Sequence, residues 1–253
     1  KKNLRITNIN KTFVKIKNID LKLNEDFKIR NLAMAIEAAK LCGLKEKLIF
    51  NSLKKLKDVN GRLELIKRFP NDVKVFIDYA HTPDALFESL KSLKNNYGNN
   101  ISLVFGCGGE RDQTKRPIMA KIANNLCKKI YITDDNPRNE RPQKIRKDLS
   151  KNISKSKSFN IGNRSLAIKK AILNADPQEI ILIAGKGHEE QQIYKNKILN
   201  ISDKKIVKKI NIKTKNKSIK NQKYFQNKFI LNKILGKNIS LNFSGLSIDT
   251  RTI

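Results

Sequence analysis

Val73-Lys74-Val75-Phe76-Ile77-Asp78-Tyr79-Ala80-His81-Thr82-Pro83-Asp84 is the stretch that decides the fold. A short apolar, β-rich run passes through a polar loop into a helical stretch, and this pattern recurs along the chain. The predicted strands are Val73–Asp78, Ile101–Gly106, Lys129–Thr133 and Glu179–Ala184, and the predicted helices are Pro83–Asn95, Lys115–Cys127, Pro142–Ser150 and Ser165–Asn174. Alternating strands and helices predict an α/β fold, in which a mostly parallel sheet carries helices on both faces.

The region before this sheet is predicted to be helical. Arg30–Leu44 has apolar residues at helical spacing and closes on Gly43, a residue type that suits a helix C-terminus. A second helix at Lys45–Leu56 is expected to pack on it. After Gly61-Arg62 the pattern changes to short β-rich runs.

Length and composition indicate a globular, cytosolic protein. The 253 residues are 39% hydrophobic, which is adequate for packed cores. No apolar run approaches the roughly 20 residues that span a bilayer, and the start at Lys1-Lys2-Asn3-Leu4 does not resemble a secretory signal. The three cysteines are widely spaced and fit reduced thiols. We therefore expect a cytoplasmic protein with no membrane partner.

The net charge of +31 raises the question of nucleic-acid binding. The lysines alternate with Ile and Asn throughout, as an AT-rich genome would produce, and aromatic residues are few. We therefore expect no nucleic-acid partner, with a basic nucleic-acid-binding module as the alternative. Lys204–Lys223 is denser in lysine and poorer in apolar residues, so composition predicts a solvated linker or tail there.

Four polar or glycine-rich loops follow the predicted strands. Ligands of such sheets lie outside the carboxyl ends of the strands, so these loops should meet at one rim. The loops are Asp78–Asp84, Gly106–Asp112, Asp134–Arg138 and Gly185–Glu189. This convergence predicts a binding site.

The Gly106–Gly109 loop allows backbone N–H groups to approach an anion, and Arg111 adds a planar fork suited to a carboxylate or phosphate. A tight strand-to-helix turn explains the glycines equally well. The loop is neither a Walker A loop nor a G-x-G-x-x-G fingerprint. Cys107 could be a nucleophile, but a small buried residue is the preferred interpretation because no His is near it in sequence.

Asp135-Asn136-Pro137-Arg138 can hold a zwitterion, with a carboxylate against Arg138 and an ammonium against Asp135. The alternative is an ordinary Asx-Pro turn with an exposed arginine. Among the remaining rim residues, His81 and His188 fit a positioning role better than a metal site. Glu189 could accept a hydrogen bond from a substrate amine, although a surface carboxylate would look the same.

In this order, the motifs resemble the C-terminal domain of the Mur ligases, most closely the diaminopimelate-adding (MurE-type) members. The resembling stretches are Gly61–Glu64, Asp78–Leu86, Val104–Asp112, Lys115–Pro117, Thr133–Arg138 and Ala184–Glu189, and the resemblance extends from about residue 1 to 211. Each motif is modest alone, whereas the ordered set is specific.

The resemblance implies a Rossmann-like C-terminal ligase domain at 67–211, preceded at 1–66 by the helical end of a central ATP-binding domain. It also implies two groups of site residues. Those expected to bind meso-diaminopimelate are Arg111, Asp135, Asn136, Pro137, Arg138, Gly185 and Glu189, and those expected near ATP are Asn31, Arg62, Asp78, Tyr79, His81 and Asp84.

The implied reaction is ATP-dependent phosphorylation of the glutamyl carboxylate of a UDP-muramoyl dipeptide, followed by attack of the diaminopimelate amine on the acyl phosphate. The family's phosphate loop, Mg²⁺ ligands and modified lysine are not among these residues, so no catalytic or metal residue is assigned. We expect this stretch alone not to turn over.

Beyond a Lys/Asn-rich linker at 212–223, residues 224–253 resemble the opening of another Mur ligase, the D-alanyl-D-alanine-adding (MurF-type) member. Phe243–Thr252 carries the similarity, with Thr250 replacing the usual serine. This order suggests a fusion of two ligases, and a short tail with a chance match is the alternative. For the main function, the alternative is a related ligase that adds another amino acid or acts on folate.

Overall fold

A computed structural model of the protein describes residues 7–10, 13–16, 19–21, 26–53, 55–56 and 59–212. Residues 1–213 form one compact unit. Its first part contains a three-stranded antiparallel sheet of β1 (Thr7–Asn10), β2 (Phe13–Ile16) and β3 (Ile19–Leu21), followed by helices α1 (Asp26–Leu41) and α2 (Glu46–Leu53). A small apolar cluster that includes Ile29, Ile36, Ile49 and Phe50 holds the two helices together.

The main sheet has six strands in the part of the chain that the structure describes. They are β4 (Glu64–Arg68), β5 (Lys74–Asp78), β6 (Ile101–Phe105), β7 (Lys129–Ile132), β8 (Ser158–Asn160) and β9 (Ile180–Ala184), in the spatial order β4-β5-β9-β6-β7-β8. β4 is antiparallel to β5, whereas the other neighbours are parallel. The strands that carry the four polar loops are therefore adjacent, and the loops leave the same edge.

Helices cover both faces of this sheet. α3 (Pro83–Tyr97), α4 (Lys115–Leu126) and α5 (Pro142–Ser150) pack on one face, and α6 (Arg164–Leu173) and α7 (Asp203–Lys209) pack on the other. Successive strand residues point to opposite faces, so β5 contributes Phe76 to the first core and Val75 and Ile77 to the second. Both faces are apolar, which explains why the strands are almost continuously hydrophobic.

These observations confirm the predicted α/β class and the mostly parallel sheet. The predicted strands and helices lie within a few residues of the observed bounds, and Gly43 has the positive φ of +82° expected just after a helix. Strands β1 to β4 and β8 were not predicted, and neither was the hairpin of β10 (Gln191–Tyr194) and β11 (Lys197–Asn200). β4 belongs to the sheet and crosses the proposed boundary at residue 66.

The prediction of a linker that begins at Lys204 was wrong for its first residues. Residues 203–209 form α7, in which Asp203 and Val207 are buried. The composition of this stretch resembles a linker because α7 is short, rich in lysine, and places only one apolar side chain, Val207, fully in the core. The rest of the predicted linker and the resemblance at 224–253 lie outside the described residues.

Within the described ranges, no helix is long and apolar enough to cross a membrane.

Candidate functional site

Glycines lock the four rim loops against one another. A Cβ on Gly106 would overlap the Thr133 carbonyl oxygen, and one on Gly109 would overlap the Pro137 carbonyl oxygen. Gly187, with φ of +53°, leaves no room either, since a Cβ there would lie 2.8 Å from both the Gly61 carbonyl oxygen and the Tyr79 Cβ. The loops after β5, β6, β7 and β9 therefore form one packed surface.

Asn136 is the central hydrogen-bonding residue of this surface. Its Oδ1 accepts from the Ile193 backbone N–H at 3.0 Å and from Lys186 Nζ at 3.2 Å. Its Nδ2 donates to Glu189 Oε2 at 3.3 Å. Because donors lie on one side of the amide and an acceptor on the other, the orientation of the amide is fixed.

Glu189 lies between two loops. Its Oε1 accepts from the Tyr79 hydroxyl at 3.2 Å, and its Oε2 lies 3.6 Å from Lys186 Nζ. The side chain is about a third exposed, at 36%. A carboxylate that is fixed by neighbours and still reaches solvent can accept hydrogen bonds from a ligand ammonium.

Asp135 is a buried carboxylate at the same surface. Within the described part of the chain, its side chain accepts no hydrogen bond, and its Oδ2 lies against Gly185, which has φ of +111°. Burial raises the pKa of Asp135, and the charges of Arg164 and Lys186 oppose that rise. An unpaired buried carboxylate is costly, so a cationic group from a ligand would be well placed here.

Arg138 lies over the glycine loop. Its φ is +53°, its Nη1 donates to the Gly109 carbonyl oxygen at 2.9 Å, and its backbone N–H donates to the Ile193 carbonyl oxygen at 2.9 Å. No partner for its Nε or Nη2 is found among the described residues, which leaves one edge of the guanidinium for a ligand. The exposed Arg111 lies in the same loop, and a Cβ on Gly108 would lie 3.0 Å from Arg138 Nη1 and 3.7 Å from Arg111 Cγ.

Sequence reasoning missed Arg116, which supports this loop from behind. Arg116 is 1% exposed and pairs with both carboxylate oxygens of Glu140, at 2.7 and 2.6 Å. It also donates to the Gly108 carbonyl oxygen at 3.4 Å. The Lys-Arg-Pro motif contained this residue, but helical spacing alone could not show that it points inward.

Arg164 and Lys186 were also missed as site residues. Both are buried, and they lie beside Asp135. Arg164 forms a bidentate ion pair with Asp203, at 2.8 and 2.7 Å, and donates to the Ala184 carbonyl oxygen at 3.0 Å. Burial lowers the pKa of Lys186. The sequence signal for Lys186 was its place inside Gly-Lys-Gly, whereas Arg164 had none.

On the side expected to face ATP, the structure brings Arg62, Tyr79 and His81 together. The Arg62 guanidinium lies 4.4 Å from the centre of the Tyr79 ring, and the His81 ring meets it edge-on at 4.7 Å. His81 Nδ1 pairs with the Tyr79 carbonyl oxygen at 2.8 Å. The His188 ring lies 5.8 Å from Tyr79 on the other side. Arg62, His81 and His188 are exposed and Tyr79 is half-buried between them, so these side chains form a cationic and aromatic corner.

The other residues expected near ATP are not part of this corner. Asp78 is buried and accepts a hydrogen bond from the Ser89 hydroxyl, and burial raises its pKa. Asp84 is exposed in the first turn of α3, where a carboxylate suits the helix dipole. Asn31 is exposed on α1, and no contact between it and the rim is found among the described residues.

Cys107 is buried against Met119, with 3.8 Å between the sulfur atoms, and burial raises its pKa to about 12. A thiol with that pKa remains protonated at neutral pH, which confirms the structural interpretation over the nucleophilic one. The described residues contain no group of three His, Cys, Asp or Glu side chains that could hold a metal ion.

A family profile described as "Mur ligase, glutamate ligase domain" matches residues 61–187, which is half of the chain and includes three of the rim loops and the first residues of the fourth.

The chain belongs to the Mur ligase family.

Curated Mur ligases resemble it strongly. The UDP-N-acetylmuramoyl-L-alanyl-D-glutamate–2,6-diaminopimelate ligase of Buchnera aphidicola subsp. Schizaphis graminum is 44% identical over 185 residues, which cover 73% of this chain and 37% of that protein. The ligase of the same name from Rickettsia montanensis is 41% identical over 209 residues, covering 81% and 43%. The chain thus spans about two fifths of the length of these relatives.

Solved structures of two ligases show the same fold. A UDP-N-acetylmuramoyl-L-alanyl-D-glutamate–2,6-diaminopimelate ligase superimposes with a TM-score of 0.57 at 34% identity, covering 78% of this chain and 41% of that one. A folylpolyglutamate synthase from Mycobacterium tuberculosis gives 0.54 at 19% identity, with 68% and 42% covered. That second likeness concerns the fold alone.

Proposed function

We propose that the protein is an ATP-dependent amide ligase of peptidoglycan synthesis that adds meso-diaminopimelate to UDP-N-acetylmuramoyl-L-alanyl-D-glutamate. The observation that carries this proposal is the Arg138 guanidinium, whose Nη1 donates to the carbonyl oxygens of Gly109 and Asn136 while its Nε and Nη2 have no partner among the described residues. The names of the curated relatives point to the same reaction.

Charge complementarity supports this choice of amino acid. Meso-diaminopimelate carries two carboxylates and two ammonium groups, so it needs cationic forks and carboxylates in one site. Arg138 and Arg111 would pair with carboxylates, and Asp135 and Glu189 would accept from an ammonium. Lysine lacks the second carboxylate of diaminopimelate and carries only an ammonium group at that end, which Arg138 would repel.

The role of this domain in the reaction would be to orient the amine. The γ-phosphoryl group of ATP passes to the glutamyl carboxylate, the amine nitrogen then attacks the acyl carbon, and the carbon–oxygen bond to phosphate breaks as the amide forms. Asn136, Pro137 and Gly185 shape the pocket through their backbone and amide contacts. A fixed amine and a packed rim that excludes water favour aminolysis over hydrolysis of the acyl phosphate.

The Arg62, Tyr79 and His81 corner would contact ATP, since a guanidinium suits phosphate and aromatic rings suit a purine. Asp84 and Asn31 lie on exposed helical positions from which they could reach ATP only when another domain closes. Mg²⁺ would accompany ATP in the remainder of a protein of the relatives' length.

We further propose that residues 1–66 end an ATP-binding domain, that 67–211 form the amino-acid-binding domain and that 224–253 begin a MurF-type ligase. A cytoplasmic location follows from the nucleotide substrates. The fusion is tested by sequencing the transcript across codon 253, where an in-frame second ligase is expected and a stop codon shortly downstream would contradict it.

Replacing Arg138 with alanine tests the choice of amino acid. In the full-length protein, Arg138→Ala should raise the dissociation constant for meso-diaminopimelate by at least about tenfold, because a charge-assisted bidentate contact contributes roughly 1.5–3 kcal/mol. Isothermal titration calorimetry with meso-diaminopimelate and with lysine measures the effect.

Arg68→Ala is the matched control, since Arg68 lies on β4 at the opposite edge of the sheet and is mostly exposed. It should leave both affinities unchanged. Unchanged diaminopimelate affinity in Arg138→Ala, or tighter binding of lysine by the unmodified protein, would point to a ligase for another amino acid.

A further inference from the structure

Arg164 is a buried cation whose charge acts on the unpaired Asp135 carboxylate of the rim. It begins α6, is 1% exposed, and uses Nε and Nη2 to hold both oxygens of Asp203 from α7. The Asp203 side chain is itself fully buried. The pair thus joins two helices beneath the sheet edge that carries the site.

Arg164 also reaches the backbone of the rim. Its Nη2 donates to the Ala184 carbonyl oxygen at 3.0 Å, which is the peptide oxygen directly before Gly185. Gly185 then turns with φ of +111° and packs against the Asp135 carboxylate. The guanidinium therefore fixes the peptide unit that sets the distance between two residues of the proposed amino-acid site.

One nitrogen of the Arg164 guanidinium makes no hydrogen bond to the residues that the structure describes. Its Nη1 is buried and has no hydrogen-bond partner within the described residues. Asp135 lies close enough for the two charges to interact, yet no direct ion pair joins them. The Arg164 charge acts on the buried Asp135 carboxylate through space and so offsets part of the cost of burying that anion.

We propose that Arg164, locked in place by Asp203, is a positioning residue of the amino-acid site that holds the Ala184–Gly185 peptide and offsets the burial of the Asp135 carboxylate. This inference rests on the proposed function, because it assumes that Asp135 receives an ammonium group. Through Asp203, α7 then contributes to the binding site, although this helix lies behind the rim.

The pH dependence of binding distinguishes this role from simple structural support. The charged groups that face Asp135 are Arg164, Lys186, Asp203 and Glu189. Burial has already raised the pKa of Asp135, and removing the cation of Arg164 would raise it further. Since an ammonium is bound only by the ionised carboxylate, binding is present above this pKa and is lost as the pH falls through it.

The experiment measures meso-diaminopimelate affinity between pH 5 and 9 by calorimetry on the full-length protein. Arg164→Met should weaken binding at pH 7 by about tenfold. It should also move the acidic limb, the pH range in which affinity falls on acidification, upward by about one pH unit. The KM for ATP should change much less than the KM for diaminopimelate. An unshifted limb, with a uniform loss of affinity at every pH, would overturn the proposal.

The double variant Arg164→Met/Asp203→Leu tests whether the loss of affinity in Arg164→Met is caused by unfolding alone. Replacing a buried ion pair by apolar residues of similar size is often neutral for stability, so the melting temperature should recover toward the unmodified value. Affinity should stay below that of the unmodified protein, with a smaller shift of the limb than in the single variant because the anion of Asp203 is removed too. Full recovery of affinity together with stability would refute a positioning role.

Lys129→Met is the matched control. Lys129 lies 3.0 Å from the fully buried Glu179 at the opposite edge of the sheet, so its loss also strips a cation from a buried carboxylate. It should lower the melting temperature and leave diaminopimelate affinity and its pH limb unchanged. If the unmodified protein does not bind diaminopimelate, the proposed function fails; if it binds and Arg164→Met binds equally well, this inference alone fails.

Discussion

Gly185 shows, at the scale of a single residue, why the rim needs glycine. Two separate constraints act on it: a φ of +111°, which L side chains rarely adopt, and the Asp135 Oδ2 that occupies the space of a Cβ. The first constraint concerns stability, whereas the second concerns the site. A suitable pair of substitutions can separate them.

Gly185→Ala should destabilise the protein by roughly 1–3 kcal/mol and also abolish measurable diaminopimelate binding, because the new methyl group displaces the Asp135 carboxylate. Gly98→Ala is the control, since Gly98 has φ of +89° and open space around its Cβ position. It should cost a similar strain energy and keep the affinity. Urea unfolding and calorimetry measure the two effects, and equal loss of affinity in both variants would refute the steric explanation.

Single residues also show where sequence reasoning reached its limit. Asp135, Asn136, Arg138 and Glu189 were predicted as site residues because their motifs are short and local, and the structure brings them together. Arg116 and Arg164 were not predicted. A buried arginine on a helix looks like any exposed one in sequence, and only the position of its distant partner, Glu140 or Asp203, distinguishes it.

At the scale of elements, α7 is the clearest case of burial overriding composition. Its lysines suggested a linker, yet Asp203 pairs with Arg164, Val207 enters the second core and Lys204 reaches Glu64 Oε1 at 2.5 Å. Lys67 Nζ then donates to the Ile210 carbonyl oxygen at 2.6 Å, just past the helix. Together these contacts hold α7 and the residue after it to α6, β4 and the second core.

Ending the chain after Ser202 should therefore lower the free energy of unfolding by roughly 3–5 kcal/mol, because it leaves the Arg164 charge buried without Asp203. Ending it after Lys213 keeps every one of these contacts and should leave the described unit as stable as before. Urea denaturation followed by circular dichroism makes the comparison. Equal midpoints for the two truncations would show that α7 contributes nothing to stability.

The strands and helices of the main sheet were predictable because both faces of the sheet are covered. Strands β5, β6 and β9 are buried along their whole length, so their apolar runs stand out from the surrounding lysine-rich sequence. The edge strands β4 and β8 are half-exposed and carry mixed residues, which is why no such signal marked them. Edge position, rather than weak propensity, explains the misses.

At the scale of the whole molecule, these residues lack a phosphate loop of the Gly-x-x-x-x-Gly-Lys-Ser/Thr type. The 253-residue chain by itself should bind meso-diaminopimelate but release no phosphate from ATP in the presence of the muramoyl dipeptide. Calorimetry and a phosphate-release assay test the two halves of this prediction, with the full-length protein as the positive control. Circular dichroism must first show that the shorter chain is folded.

ATP turnover by the chain alone would contradict the assignment of catalysis to residues outside it. Absence of amino-acid binding by a folded chain would instead show that the rim is completed by another domain. Arg62 is exposed above the half-buried Tyr79 ring, so this corner is a place where such a domain could meet this one.

The glycines that pack the rim loops against one another limit how this rim can evolve. Gly61, Gly106, Gly109 and Gly187 each touch the backbone of a neighbouring loop, so inserting or deleting a residue in one loop would separate the others as well. New substrate preferences are then accessible through point substitutions of the side chains that face the ligand, such as Arg138, and not through changes in loop length. Efforts to redirect this site should vary those side chains and leave the loop lengths unchanged.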